Sequence, residues 1–117
     1  YHYPHPLDIL KMNEAAKYFV GRHDFAAFMA SGSSIADTVR TVTGCRVERD
    51  GDRVKIYMSA DGFLYNMVRI TVGTLIEVSE GKIAPCDIEK IINSKDRTLA
   101  GRTAPAEGLY LGKVFIK

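Results

Sequence analysis

The feature that most constrains this chain is the run of residues 63–78, Phe63 to Val78, which has helical length and apolar residues on nearly every side. A helix that is hydrophobic all round is buried rather than laid on a surface. Its one basic residue is Arg69. A guanidinium stays protonated in proteins, so a buried one needs an anion or a strong acceptor. No carboxylate of the chain is placed for that role by sequence alone. An ordinary core ion pair and a guanidinium that snorkels to the surface both stay open at this level. The same helix carries Gly73 one turn beyond Arg69. Glycine costs about 1 kcal/mol in a helix interior, so close approach of another backbone is a physical reason for it.

The remaining elements follow from periodicity and punctuation. After an extended opening with Pro4 and Pro6, Asp8 predicts the cap of a helix with Met12, Ala15, Ala16, Phe19 and Val20 at helical spacing, closed by Gly21 in the left-handed position. Residues 22–37 read as irregular, anchored by Phe25 and Phe28, with a mobile loop over residues 31–34. Two strands follow. In the first, Val39, Thr41, Thr43, Cys45 and Val47 share one face; in the second, Val54, Ile56, Met58 and Ala60 alternate with Lys55, Tyr57 and Ser59. Asp50-Gly51 between them predicts a type I′ hairpin. Asp61 is placed to cap the Arg69 helix, roughly 15 residues and about 22 Å long, which stops near Ser79-Glu80-Gly81. A shorter helix starts at Pro85, with Asp87 and Glu89 near its positive end and Ile88, Ile91 and Ile92 as its buried stripe. A polar, basic stretch with Lys95, Arg97 and Arg102 leads to a last strand, Leu109 to Ile116. This order predicts an α+β fold, an antiparallel or mixed sheet covered on one face by helices.

Length bounds the chain to one domain, residues 1–117, since domains commonly run roughly 100–150 residues. The net charge of +2 is compatible with a nucleic-acid partner without arguing for one. Cys45 and Cys86 lack metal-ligand spacing and read as reduced thiols of a cytoplasmic protein. His2, His5 and His23 have no supporting cysteine or carboxylate at a metal-site spacing. Asp24 reads as a cap or loop hydrogen-bonder, because no nucleophile is spaced to join a His23-Asp24 dyad. The apolar run is too short and too charged to span a membrane, which takes about 20 residues. Tyr1 in place of Met suggests an excised piece of something longer.

Four blocks then carry a resemblance. The segment Ala60-Asp61-Gly62-Phe63-Leu64-Tyr65-Asn66-Met67-Val68-Arg69-Ile70-Thr71-Val72-Gly73-Thr74-Leu75 resembles the signature of the TruA family of tRNA pseudouridine synthases. Residues 21–28, residues 37–42, and Asp96-Arg97 through Thr103-Ala104-Pro105-Ala106-Glu107-Gly108-Leu109-Tyr110-Leu111 agree in order and spacing. Arg22 departs from the family's more frequent threonine, and Thr71 from its usual aliphatic residue.

The resemblance implies the C-terminal half of such an enzyme's catalytic region, half of a pseudouridine synthase core. The family's catalytic aspartate lies in an Arg-Thr-Asp motif of the N-terminal half, and that motif does not occur here; the tyrosine that stacks on the target base belongs to the same half. By resemblance Arg69 pairs with that aspartate and holds it ionised and oriented. Leu109, otherwise a plain core leucine, faces the catalytic pocket against the uridine or the stacked tyrosine, and Gly73 joins Leu109 in the substrate-binding set. The implied reaction isomerises uridine to pseudouridine in the tRNA anticodon stem-loop. The aspartate breaks the N-glycosidic bond, the freed uracil turns, and C5 rejoins the ribose, with no cofactor or metal. The target base must first leave its stack, at a cost of a few kcal/mol. The implied partners are tRNA, a second copy in a homodimer and the absent N-terminal half, with no membrane. The isolated chain is expected to be inactive. The alternative is a non-catalytic RNA-binding or dimerisation module of related fold.

Overall fold

The computed structural model describes residues 2–30, 32, 35–107, 109–110 and 113–116. The expected mobile loop at residues 31–34 falls mostly outside them. Three α-helices, α1 (Ile9–Ala16), α2 (Met67–Ser79) and α3 (Asp87–Ser94), accompany five strands: β1 (Gly21–Asp24), β2 (Val39–Asp50), β3 (Arg53–Ala60), β4 (Leu109–Tyr110) and β5 (Lys113–Ile116). The strands form one antiparallel sheet in the order β1-β2-β3-β5-β4. Its inner face and the helices share one core, whose largest fully buried side chains include Phe19, Phe25, Phe28, Met67, Ile70 and Leu75. Thr43, Arg46, Glu48 and Ser59 lie exposed on the outer face. The fold is the expected α+β sandwich. Among the described residues no helix is long and apolar enough to cross a membrane.

Asp8 caps α1 as its side chain accepts from the Lys11 amide at 3.1 Å. The helix ends earlier than its apolar spacing suggests: Lys17–Phe19 tighten into a 3-10 turn that still buries Phe19. Gly21, at φ +116°, opens β1 instead of closing the helix. That short strand within the expected irregular segment exists because Gly21–Asp24 pair with Val39–Val42. Beyond β1, the Asn13 side chain takes over the free edge of β2. Its amide donates to the Val47 carbonyl at 2.7 Å and its oxygen accepts from the Val47 N–H at 2.8 Å.

The expected face of β2 is corrected by a bulge. Val42 pairs with Ala60 and Gly44 with Ser59, so Thr43 is an extra residue and the alternation changes phase there. Val42, Cys45 and Val47 face the core opposite Ala60, Met58 and Ile56, while Thr43 turns outward and its hydroxyl meets that of Ser59 at 2.8 Å. Burial pushes the Cys45 thiol up to about 12. The β2–β3 turn also differs in type. Gly51 has φ +63°, but Asp52 is not among the positive-φ residues, which is the pattern of a type II′ turn with glycine first. The expected last strand is two, β4 and β5, paired Leu109 to Val114 and Tyr110 to Lys113.

Helix α2 is buried on nearly all sides, as its composition requires. Asp61 does not cap it. The Asp61 carboxylate accepts from the Thr41 amide at 2.9 Å, pinning the end of β3 to β2, and the helix begins after Asn66. At the other end Gly81, at φ +79°, closes a Schellman motif in which Gly81 N–H meets Val78 O and Lys82 N–H meets Glu77 O, both at 3.0 Å. Helix α3 starts at Asp87, two residues after Pro85, and buries Ile88, Ile91 and Ile92.

Candidate active site

Arg69 sits in the first turn of α2 and is half-buried. It borders a cavity of about 180 Å³ lined by Phe63, Leu64, Asn66, Met67 and Val68. Two oxygens hold its guanidinium. Nε donates to the Ala104 carbonyl at 2.7 Å, and Nη1 donates to Asn66 Oδ1 at 3.2 Å. Both acceptors are neutral. Among the described residues no carboxylate forms an ion pair with Arg69, so its charge is oriented without being cancelled.

The Ala104 carbonyl is placed by a strap, residues 101–104, that lies along α2. Ala104 N–H also donates to the Arg69 carbonyl at 2.9 Å, so the two residues are tied in both directions. Gly101 N–H donates to Thr74 Oγ1 at 2.9 Å, and that hydroxyl donates to the Ile70 carbonyl. Arg102 N–H donates to Glu77. From the other side Arg97 donates to the Gly101 carbonyl at 2.9 Å and to Thr103 Oγ1 at 3.1 Å.

Two glycines make this contact possible. A Cβ on Gly73 would lie 1.6 Å from the Arg102 carbonyl oxygen, and one on Gly101 would lie 2.6 Å from Thr74 Cα. The expected close approach at Gly73 is therefore present, with the strap as the approaching backbone. Gly73 itself is buried beneath that backbone, so in this structure it admits the strap rather than facing an open surface.

The far end of the strap is anchored by charge. The Arg102 guanidinium makes two 3.0 Å bonds to the Glu80 carboxylate, which also accepts from the Tyr3 hydroxyl at 2.5 Å. These donors, Arg102 first, hold the Glu80 carboxyl down at about 2. Asp24 behaves as a loop hydrogen-bonder: its carboxylate accepts from the Ala26 amide and the Thr38 hydroxyl, with Lys95 Nζ at 3.8 Å. His23 lies edge-on to Phe25, with its ring nitrogen 3.1 Å from the Val20 carbonyl.

The structure thus joins Arg69 and Gly73 through one strap. Leu109 opens β4 opposite Val114, five residues beyond that strap. Reading the sequence alone gave no role at this site to Asn66, Thr74, Glu77, Glu80 and Ala104, and placed Arg97 only in a polar, basic stretch. The one signal available for the strap was a pair of glycines, Gly73 and Gly101, and nothing local indicates that their segments meet.

Comparison with known proteins matches this chain to a family. The family model described as tRNA pseudouridine synthase covers residues 15–115. The chain is 56% identical over 115 residues to tRNA pseudouridine synthase A of Acetivibrio thermocellus, covering 98% of this chain and 47% of that protein. It is 51% identical, with the same two coverages, to tRNA pseudouridine synthase A 2 of Clostridium perfringens and to tRNA pseudouridine synthase A of Bacillus licheniformis. The chain spans about half the length of the curated relatives it matches. With Arg69, Gly73 and the strap all inside the matched residues, the chain belongs to the tRNA pseudouridine synthase family.

Proposed function

We propose that this chain is the C-terminal half of the catalytic region of a tRNA pseudouridine synthase. Residues 1–117 fold as one unit against an N-terminal half, and the whole protein isomerises uridine to pseudouridine in the tRNA anticodon stem-loop. The observation that carries this reading is the state of Arg69. It is a half-buried cation beside an open cavity, fixed by two neutral oxygens and with no carboxylate partner among the described residues. An aspartate from the other half would complete it. A charge-assisted pair of that kind favours the ionised carboxylate and fixes its direction toward C1′ of the uridine.

Leu109 is proposed to contact the uridine or the tyrosine stacked on it. Gly73 acts indirectly, by letting the strap reach Arg69. The relatives' names point to tRNA as substrate, and the reading extends to a cytoplasmic homodimer.

The test uses undermodified tRNA and measures pseudouridine formed. The chain alone is expected to give background, and the full-length protein turnover. Arg69→Ala in the full-length protein should lower the rate at neutral pH by roughly 100-fold or more, with tRNA affinity little changed. Robust turnover by the chain alone, or a nearly intact Arg69→Ala enzyme, would refute the assignment.

A further inference from the structure

We infer that Asn66 is a positioning residue for Arg69, holding the guanidinium in place while leaving its charge free. Asn66 occupies the N-cap position of α2, where an asparagine normally accepts from a backbone N–H in the first turn. Here its side chain makes no such bond. Its Oδ1 accepts from Arg69 Nη1 at 3.2 Å instead, one turn along the helix. The guanidinium has only donors to offer, so the amide must present its oxygen. The backbone is arranged to permit this. Asn66 is one of two described non-glycine residues at positive φ, at φ +61° and ψ +10°. Asparagine tolerates that conformation better than most residues.

The choice of an amide has a consequence that a carboxylate would not. Asn66 and the Ala104 carbonyl occupy Nε and one Nη1 hydrogen, and neither brings negative charge. The other Nη1 hydrogen and both Nη2 hydrogens have no partner among the described residues. Nη2 is thus the one guanidinium nitrogen with neither hydrogen engaged among the described residues, and it leaves donors for an acceptor that comes from outside the chain. A carboxylate at position 66 would reach the same atoms and neutralise the cation from within the helix. An external carboxylate would then meet a guanidinium already paired. The inference rests on the reading of Arg69 as the partner of an aspartate from the other half.

Two substitutions separate orientation from charge. Asn66→Gly suits the positive φ and preserves the helix start, but removes the acceptor. Asn66→Asp keeps an acceptor in place and adds the charge. The first readout is the side-chain 1H–15N spectrum of Arg69 in this chain. In N66G, rotation of the Nη groups should quicken several-fold while the Nε hydrogen stays protected by Ala104; in N66D rotation should be as slow as in the parent or slower. The second readout is pseudouridylation by the full-length protein. N66G should lower kcat by about 10-fold through misplacement, and N66D by roughly 100-fold through internal neutralisation, each with KM within about 2-fold.

A merely structural asparagine would instead move KM and kcat together and order the variants by their melting temperatures. Unchanged Nη rotation in N66G overturns the inference, and so does an N66D enzyme as active as the parent. If the unaltered full-length protein forms no pseudouridine, the proposed function fails, while the spectra still decide whether Asn66 holds Arg69.

Discussion

Replacing Gly73 with alanine tests the strap more directly than any change to a charged residue. The added Cβ would stand 1.6 Å from the Arg102 carbonyl oxygen and 2.7 Å from its carbon, both backbone atoms that cannot rotate away. Carbon and oxygen normally approach no closer than about 3.3 Å, so the strap must retreat by roughly 1.5 Å or the helix must shift. Four bonds cross this contact: Ala104 with Arg69 in both directions, Gly101 with Thr74, and Arg102 with Glu77. A retreat of that size takes them beyond hydrogen-bonding distance. At about 1 kcal/mol net for each, their loss costs roughly 4 kcal/mol. Alanine returns about 1 kcal/mol through helix propensity. The expected net destabilisation is about 3 kcal/mol, read from urea unfolding followed by circular dichroism. Arg69 should lose its Ala104 acceptor in the same variant, so the protection of its Nε hydrogen should fall with stability. A Gly73→Ala chain as stable as the parent, with that hydrogen still protected, would show that the strap is not held by this contact.

Three further outcomes follow from other parts of the structure. Thr71 is fully buried and its hydroxyl has no hydrogen-bond partner among the described residues; Thr71→Val should stabilise the chain by about 1–2 kcal/mol, and a lower melting temperature would contradict this. Asn13→Ala leaves the Val47 N–H and C=O unpaired at the edge of β2, which should cost about 2 kcal/mol and speed hydrogen exchange at Val47; unchanged exchange would refute the capping role. Glu80, held at about 2 by Arg102 and Tyr3 against an ordinary 4.5, is a carboxyl with a depressed folded-state value. Its contribution is fully present above about 4.5 and is lost as pH falls toward 2, because protonation then accompanies unfolding. Unfolding measured from pH 6 down to 2.5 should therefore show a shallower acid loss in Glu80→Gln than in the parent, and equal slopes would remove Glu80 from the clasp.

What the sequence determined by itself is what near neighbours encode. The alternation of Val54, Ile56 and Met58 specified β3 and its buried face, and the all-round apolarity of residues 67–78 specified a buried helix. Asp8 and Gly81 marked helix ends through bonds to residues within one turn. The cost of glycine inside a helix was enough to predict a close approach at Gly73, and the motif blocks were enough to point to the family. Tertiary structure decided the rest, wherever a residue's partner is distant or is backbone. One extra residue at Thr43 reversed the faces of β2, a phase change that only pairing with β3 reveals. Asp61 was drawn from the helix to the Thr41 amide, leaving the start of α2 to Asn66. Arg69 needs an anion or a strong acceptor, and its partners among the described residues are an amide oxygen one turn away and a carbonyl 35 positions along the chain. A carbonyl has the same chemistry at every residue, so no side-chain pattern announces which one a guanidinium will find; only the packing of Gly73 against the Arg102 backbone and of Gly101 against the Thr74 backbone places that of Ala104.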